Sequence, residues 1–168
     1  MLRIIEFDRK DRIMAVNMEK VRATLNAAPI KWVQLGKFSN DILEERHIRM
    51  SVPVEGLHIN HVGTVYAGSM FTLLELAAGA MFMCTYGLDE YVPIVASFEI
   101  TYLKPTKKDL VVELEWTEEE AAERIQPIRE RGRGRMPVEL TLKDVDGVEV
   151  AKAVSTLYIL PYTTNMME

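Results

Sequence analysis

The chain of 168 residues has a single cysteine, only three histidines and no excess of positive charge. One thiol, Cys84, cannot form an internal disulfide or a cysteine-rich metal centre, and this usage fits a reducing, cytoplasmic setting. The 20 Lys and Arg are outnumbered by 25 Asp and Glu, giving a formal net charge of −5, which argues against broad electrostatic attraction to nucleic acid. Internal repeats and flexible linkers are missing. The opening MLRIIEFDRKDR mixes charges of both signs with short apolar stretches and does not read as a signal peptide. Apolar residues are abundant, at 48%, so global disorder is excluded and the length suits one domain with a substantial core, residues 1–168.

The longest apolar run, residues 65–86, is about long enough to span a bilayer. Glu75 near its centre would cost on the order of 2.5–3.5 kcal/mol in lipid, and strand-patterned sequence follows, so a buried helix is the better reading and no membrane partner is expected. Before it, Met14, Met18, Val21 and Leu25 recur at helical spacing and predict an amphipathic helix over about 13–27. Pro29 suits the first turn of a short second helix that Gly36 ends. In residues 41–56, Ile42, Glu44, Arg46, Ile48, Met50, Val52 and Val54 share one face of a strand, with clean alternation from Ile48 onward.

Four more strand patterns follow the apolar helix. They lie in PIVASFEITYLKP, LVVELEW, MPVELTLKD and VEVAKAVSTLYILP, with Asp146-Gly147 a hairpin signal between the last two. Between the second and third of these, Thr117 and Glu120 form a capping-box pattern, and Pro127 is expected to kink or restart the inserted helix. Strands grouped around one helix predict an α+β architecture, an antiparallel sheet of about five strands wrapped on a central helix. A helix apolar on nearly every side must be covered on every side. One such sheet covers only part of it, so a homodimer is expected.

Chemistry concentrates at the start of that helix. Gly63 and Gly68 bracket it, where free backbone N–H groups and the positive end of the helix dipole can hold a developing oxyanion. Glu75, about two turns in, is the only ionisable residue between Tyr66 and Cys84. Burial should raise its pKa, as befits a base or nucleophile; a structural ion pair with an arginine is the equal alternative. Met70, Met81 and Met83 read as core that could also line an acyl pocket. His47 and His58 lack a second ligand at metal spacing, and Cys84 reads as a buried inert thiol.

The segment N60-H-V-G-T-V-Y-A-G-S-M-F-T-L-L-E75 resembles the hotdog-fold thioesterases of the phenylacetate-type acyl-CoA branch. Asn60 falls on the family asparagine, Gly63-Thr64 on its Gly-Thr pair, Tyr66-Ala67-Gly68 on its His-Gly-Gly and Glu75 on its catalytic acid; SFEITYLKP is similar to the family strand that ends near a proline. In appearance the chain is nearest a poorly characterised branch with a Tyr-Ala-Gly-Ser turn and a helical insertion before the fourth strand. The resemblance spans about 40–160, with the hotdog core at 40–162 and a helical arm at 1–38. It implies hydrolysis of an acyl-CoA thioester without metal or cofactor, coenzyme A entering only as part of the substrate. Glu75 would activate water or attack the carbonyl, the Ala67 N–H beside Gly68 would polarise it, and Asn60 would position water or carbonyl across a dimer interface. Tyr66 and Ser69 would adjoin the substrate, and the protein would be a homodimer or a dimer of dimers.

Tyr66 for histidine and Ala67 for glycine narrow the oxyanion site, and Val95 falls where some relatives hold water with a polar residue. Those departures keep open an acyl-CoA-binding protein without catalysis. His61 and Glu75 also have the separation that hotdog dehydratases use for proton abstraction, although the Pro-Gly pairs of that loop are missing. Lys104, Lys107 and Lys108, and Arg129, Arg131, Arg133 and Arg135, either meet the phosphates of coenzyme A or form a solvated basic surface; Lys104 and Arg133 are the candidate contacts.

Overall fold

A computed structural model describes residues 15–27 and 30–163. Met14, Pro29 and the charged opening segment lie outside the described residues. In order, the elements are α1 (Met18–Ala27), α2 (Lys31–Leu35), β1 (Ser39–Glu44), β2 (His47–Val52), α3 (Ala67–Tyr86), β3 (Tyr91–Tyr102), β4 (Leu110–Glu115), α4 (Glu118–Arg131), β5 (Gly134–Asp144) and β6 (Glu149–Pro161). The six strands form one sheet in the order β1-β2-β4-β5-β6-β3, and every neighbouring pair is antiparallel. This is the expected wrapped sheet with one strand more.

The extra strand arises at Glu45-Arg46, where the continuous alternation of 42–54 folds into a hairpin pairing Glu44 with His47. Arg46 sits at φ 61°, a left-handed conformation unusual for a long side chain. Its amide donates to the Cys84 carbonyl at 3.2 Å, and its carbonyl accepts from the Trp116 amide at 2.9 Å. Tertiary bonds therefore hold a turn that no Gly or Asn marks in the sequence.

Helix α3 is rich in Ala, Leu and Met, which are strong helix formers, and Gly87 ends it. By length and composition it could cross a membrane. In the fold it packs on the concave face of the sheet, touching every strand and α1. Alternate residues of the strands meet it: Ile48, Met50 and Val52 from β2, Leu110 and Val112 from β4, Met136, Val138, Leu140 and Leu142 from β5, and Leu157 and Ile159 from β6. With Leu73, Leu74, Met81 and Phe82 of α3 they make one core.

Three further helices frame that core. Helix α1 lies against β1, where Arg22 Nε donates to the Leu43 carbonyl at 2.8 Å and Asn40 Nδ2 to Asn26 Oδ1 at 2.9 Å. Helix α2 is tied to α3 by Trp32 Nε1 donating to Thr72 Oγ1 at 3.3 Å. Helix α4 runs on through Pro127 without restarting, because Ala121, Ile125 and Ile128 are buried on both sides of the proline. Its capping box is complete: the Glu120 amide donates to Thr117 Oγ1, and the Thr117 amide to Glu120 Oε2. Thr117→Ala is expected to cost about 1 kcal/mol by loss of this cap, read from the urea midpoint at unchanged slope.

Candidate active site

Between β2 and α3 the chain makes a single 3₁₀ turn at Gly56–His58 and then a tight loop closed by the Ile59–Val65 bridge. Asn60 organises that loop. Its Oδ1 accepts from the amides of Val62 and Thr64, and its Nδ2 donates to Thr64 Oγ1 at 2.8 Å and to the Val65 carbonyl at 3.2 Å. Gly63 supplies the positive φ of 76° the reversal needs. Both ends of the Asn60 amide are thus engaged within its own loop, which sets the direction of the first turn of α3.

His58 was not among the residues expected at the site, yet it is buried at the hinge of this loop. Its Nε2 lies 2.7 Å from the Gly36 carbonyl and its Nδ1 2.8 Å from Ser69 Oγ. A carbonyl only accepts, so Nε2 carries a proton and donates to Gly36, while Nδ1 pairs with the Ser69 hydroxyl. The imidazole thereby links the end of α2 to the first turn of α3. Ser69, expected beside substrate, is fully buried and turned toward His58. A histidine between Leu57 and Ile59 gives only a faint sequence signal for such a role.

At the N-terminus of α3, the amides of Ser69 and Met70 both reach the Tyr66 carbonyl, while those of Ala67 and Gly68 have no hydrogen-bond partner among the described residues. These two free donors lie at the positive end of a 20-residue helix, at the residues where oxyanion donors are expected from the sequence. The Tyr66 ring, 49% exposed, lies over Gly68, so a methyl there would displace it. Tyr102 Oη donates to the Ala67 carbonyl at 3.3 Å.

Glu75 lines a cavity of about 500 Å³ between α3, the α1–α2 arm, β1–β2 and β3. Among its walls are Leu25, Val33, Phe38, Met50, Met83 and Leu157. Burial raises the Glu75 pKa, and among the described residues the carboxylate has no hydrogen bond or ion pair, from an arginine or any other group. Glu75 and the free amides are not brought together within one chain: Glu75 lies eight positions beyond Ala67 on the same helix, about 12 Å along the axis. Asn60, Tyr66, Ala67 and Gly68 do not line the cavity, and neither does the exposed His61.

Lys104, just beyond β3, and Arg133, between α4 and β5, are exposed and also outside the cavity. Cys84 is buried, its thiol pushed up to about 12 by desolvation, as expected of an inert thiol. Among the described residues no three His, Cys, Asp or Glu side chains are grouped to hold a metal.

A carboxyl whose pKa is raised on folding adds stability below its unfolded pKa and loses it as pH rises through the folded value. Glu75→Gln should therefore raise the thermal midpoint at about pH 8 more than at about pH 4, where the unfolded carboxyl is largely protonated. Paired melts of the two proteins at both pH values check this.

Residues 36–159 match the family described as a domain of unknown function, DUF4442. A solved Pseudomonas aeruginosa protein of unknown function, described as a probable thioesterase, is 30% identical; the match covers 89% of this chain and 99% of that one, with a TM-score of 0.77. A mutant thioesterase from the same organism is 15% identical over 87% and 95% of the two chains (TM-score 0.65). A hypothetical thioesterase of Streptococcus pneumoniae, solved with coenzyme A, is 18% identical over 85% and 99% (TM-score 0.61). The last two likenesses concern the fold alone. No curated protein matches the chain. A central helix wrapped by an antiparallel sheet, a family match across that unit and a relative spanning nearly the whole chain make this protein a member of the DUF4442 family with the hotdog fold of its thioesterase-named neighbours.

Proposed function

We infer that the protein hydrolyses an acyl-CoA thioester, with Glu75 as its principal carboxylate. The observation that carries this reading is a half-buried carboxylate, unpaired among the described residues, on the wall of a largely apolar cavity. A charge left without a partner in such a place costs stability, and that cost fits a group kept for proton transfer. The resemblance of residues 60–75 to the hotdog thioesterases and the coenzyme A held by the S. pneumoniae protein support the same substrate.

In this mechanism Glu75 takes a proton from water while the water oxygen attacks the thioester carbonyl. The resulting oxyanion accepts a hydrogen bond from a free amide at an α3 N-terminus, a contribution of about 3–4 kcal/mol where such donors have been removed in other enzymes. Collapse breaks the C–S bond, and the thiolate leaves with the proton that Glu75 holds. Because the amide and the carboxylate of one chain are about 12 Å apart on one helix, a single carbonyl meets both only if they come from different subunits.

A homodimer supplies that arrangement. Strand β3 is a sheet edge, and beside it Phe71 at 39% and Val95 at 36% exposure leave an apolar belt next to Glu75, with the Phe71 and Phe98 rings 4.7 Å apart. Burying this belt against a second copy would cover the remaining side of α3 and bring the free amide of Ala67 toward Glu75 of the partner subunit.

A non-catalytic acyl-CoA binder is the second reading, favoured by the Tyr66 ring over Gly68, which crowds the oxyanion donors. The dehydratase reading loses ground because His61 is exposed and outside the cavity. Free-thiol release from a panel of acyl-CoA esters separates the first two. Turnover by wild type should fall at least about 100-fold in Glu75→Gln with the circular dichroism spectrum retained, whereas no release from any ester would leave the binder. Phe71→Glu should shift the protein from dimer to monomer in sedimentation velocity and lower turnover with it; a monomeric wild type would sink the two-subunit site.

A further inference from the structure

We propose that Gly79 sets the acyl specificity of the cavity and that the group it admits is a neutral, apolar chain of about eight to twelve carbons; the substrate class rests on the thioesterase reading above. Gly79 lies one turn beyond Glu75 on the same face of α3, where both line the cavity. Glycine inside a helix is unfavourable relative to alanine, and here no crowding explains it. A Cβ built on Gly79 meets no atom within 4 Å, and its φ lies outside the left-handed region. What the missing side chain does is keep the cavity open past the carboxylate.

Beyond Glu75 the cavity continues over Gly79 to Met83, about 12 Å along the helix axis. The wall facing α3 is the arm, through Leu25, Ile30 and Val33. Among the described residues Glu75 is the only ionisable one on the lining, and none of them offers a cation to a carboxylate or phosphate at the far end. A methylene is about the size of a water molecule, whose share of liquid volume is about 30 Å³, so a cavity of about 500 Å³ has room for more than the about ten groups that its length suggests. An acetyl group would leave most of it empty.

The test compares kcat/KM for butyryl-CoA and decanoyl-CoA in wild type and Gly79→Leu. Wild type should favour decanoyl-CoA, and the variant should lower the decanoyl-to-butyryl ratio at least tenfold. Its thermal midpoint should be no lower than that of wild type, because leucine is the better helix former and enters open space. Should leucine prevent folding, Gly79→Ala should move the ratio the same way by a smaller factor. A ratio that the substitution leaves in place, or a wild type that prefers butyryl-CoA, overturns the inference while leaving hydrolysis intact. If neither ester is hydrolysed, the thioesterase reading fails. Calorimetric binding then decides the cavity alone: decanoyl-CoA bound by wild type and weakened by Gly79→Leu supports it, and no binding, or binding indifferent to the substitution, overturns it.

Discussion

The constraint on which everything else depends is the burial of a helix that is apolar on almost every side. Helix α3 has no polar face to offer water, so the chain folds its strands around it, and the core consists of what those strands present to it. One sheet cannot enclose a cylinder. The remaining circumference is shared between the arm, which covers it through Leu25 and Val33, and the belt beside β3, which the chain itself leaves uncovered. Glu75 lies where these two regimes meet. Its carboxylate is partly withdrawn from water, and this burial raises its proton affinity, with no cation beside it among the described residues.

A second layer of organisation is polar and small. The loop before α3 contains Asn60 and His58, each with its hydrogen-bonding atoms engaged, and between them they fix the entry to α3. Asn60 shapes the loop from within. His58 connects it to the arm through the Gly36 carbonyl, so the covering of the cavity and the orientation of the free amides at Ala67 and Gly68 share one buried ring. In a low-dielectric interior such a fully satisfied cluster is rigid, a property that an oxyanion-type donor pair requires if it is to act without reorganising.

Much of the fold was legible because its signals are periodic or local. The alternation in β4, β5 and β6, the turn at Asp146-Gly147 and the capping box at Thr117 and Glu120 each depend on residues adjacent in sequence, and each is present, whereas β3 forms with a bulge between Val95 and Ser97 that breaks its alternation. The turn at Arg46 was invisible for the opposite reason: it is held by Cys84 and Trp116, which are remote in sequence. Likewise Pro127 is expected to kink or restart α4, and the structure shows no restart: one helix runs through it with Ile125 and Ile128 buried on either side. Ser69 reads as a substrate contact from its place in the motif, and only the proximity of His58 shows it facing inward.

By itself the sequence determined that a long apolar helix carrying one carboxylate would be buried under an antiparallel sheet, since hydrophobic patterning depends on residue type and spacing alone. Tertiary structure decided how that carboxylate is surrounded. The arm could have met α3 anywhere along its length; its packing against β1 and over Gly79 turns a core contact into a cavity. The separation of Glu75 from the free amides is likewise a property of the helix between them, and under the proposed mechanism it gives the side of α3 left open beside β3 a part in the chemistry.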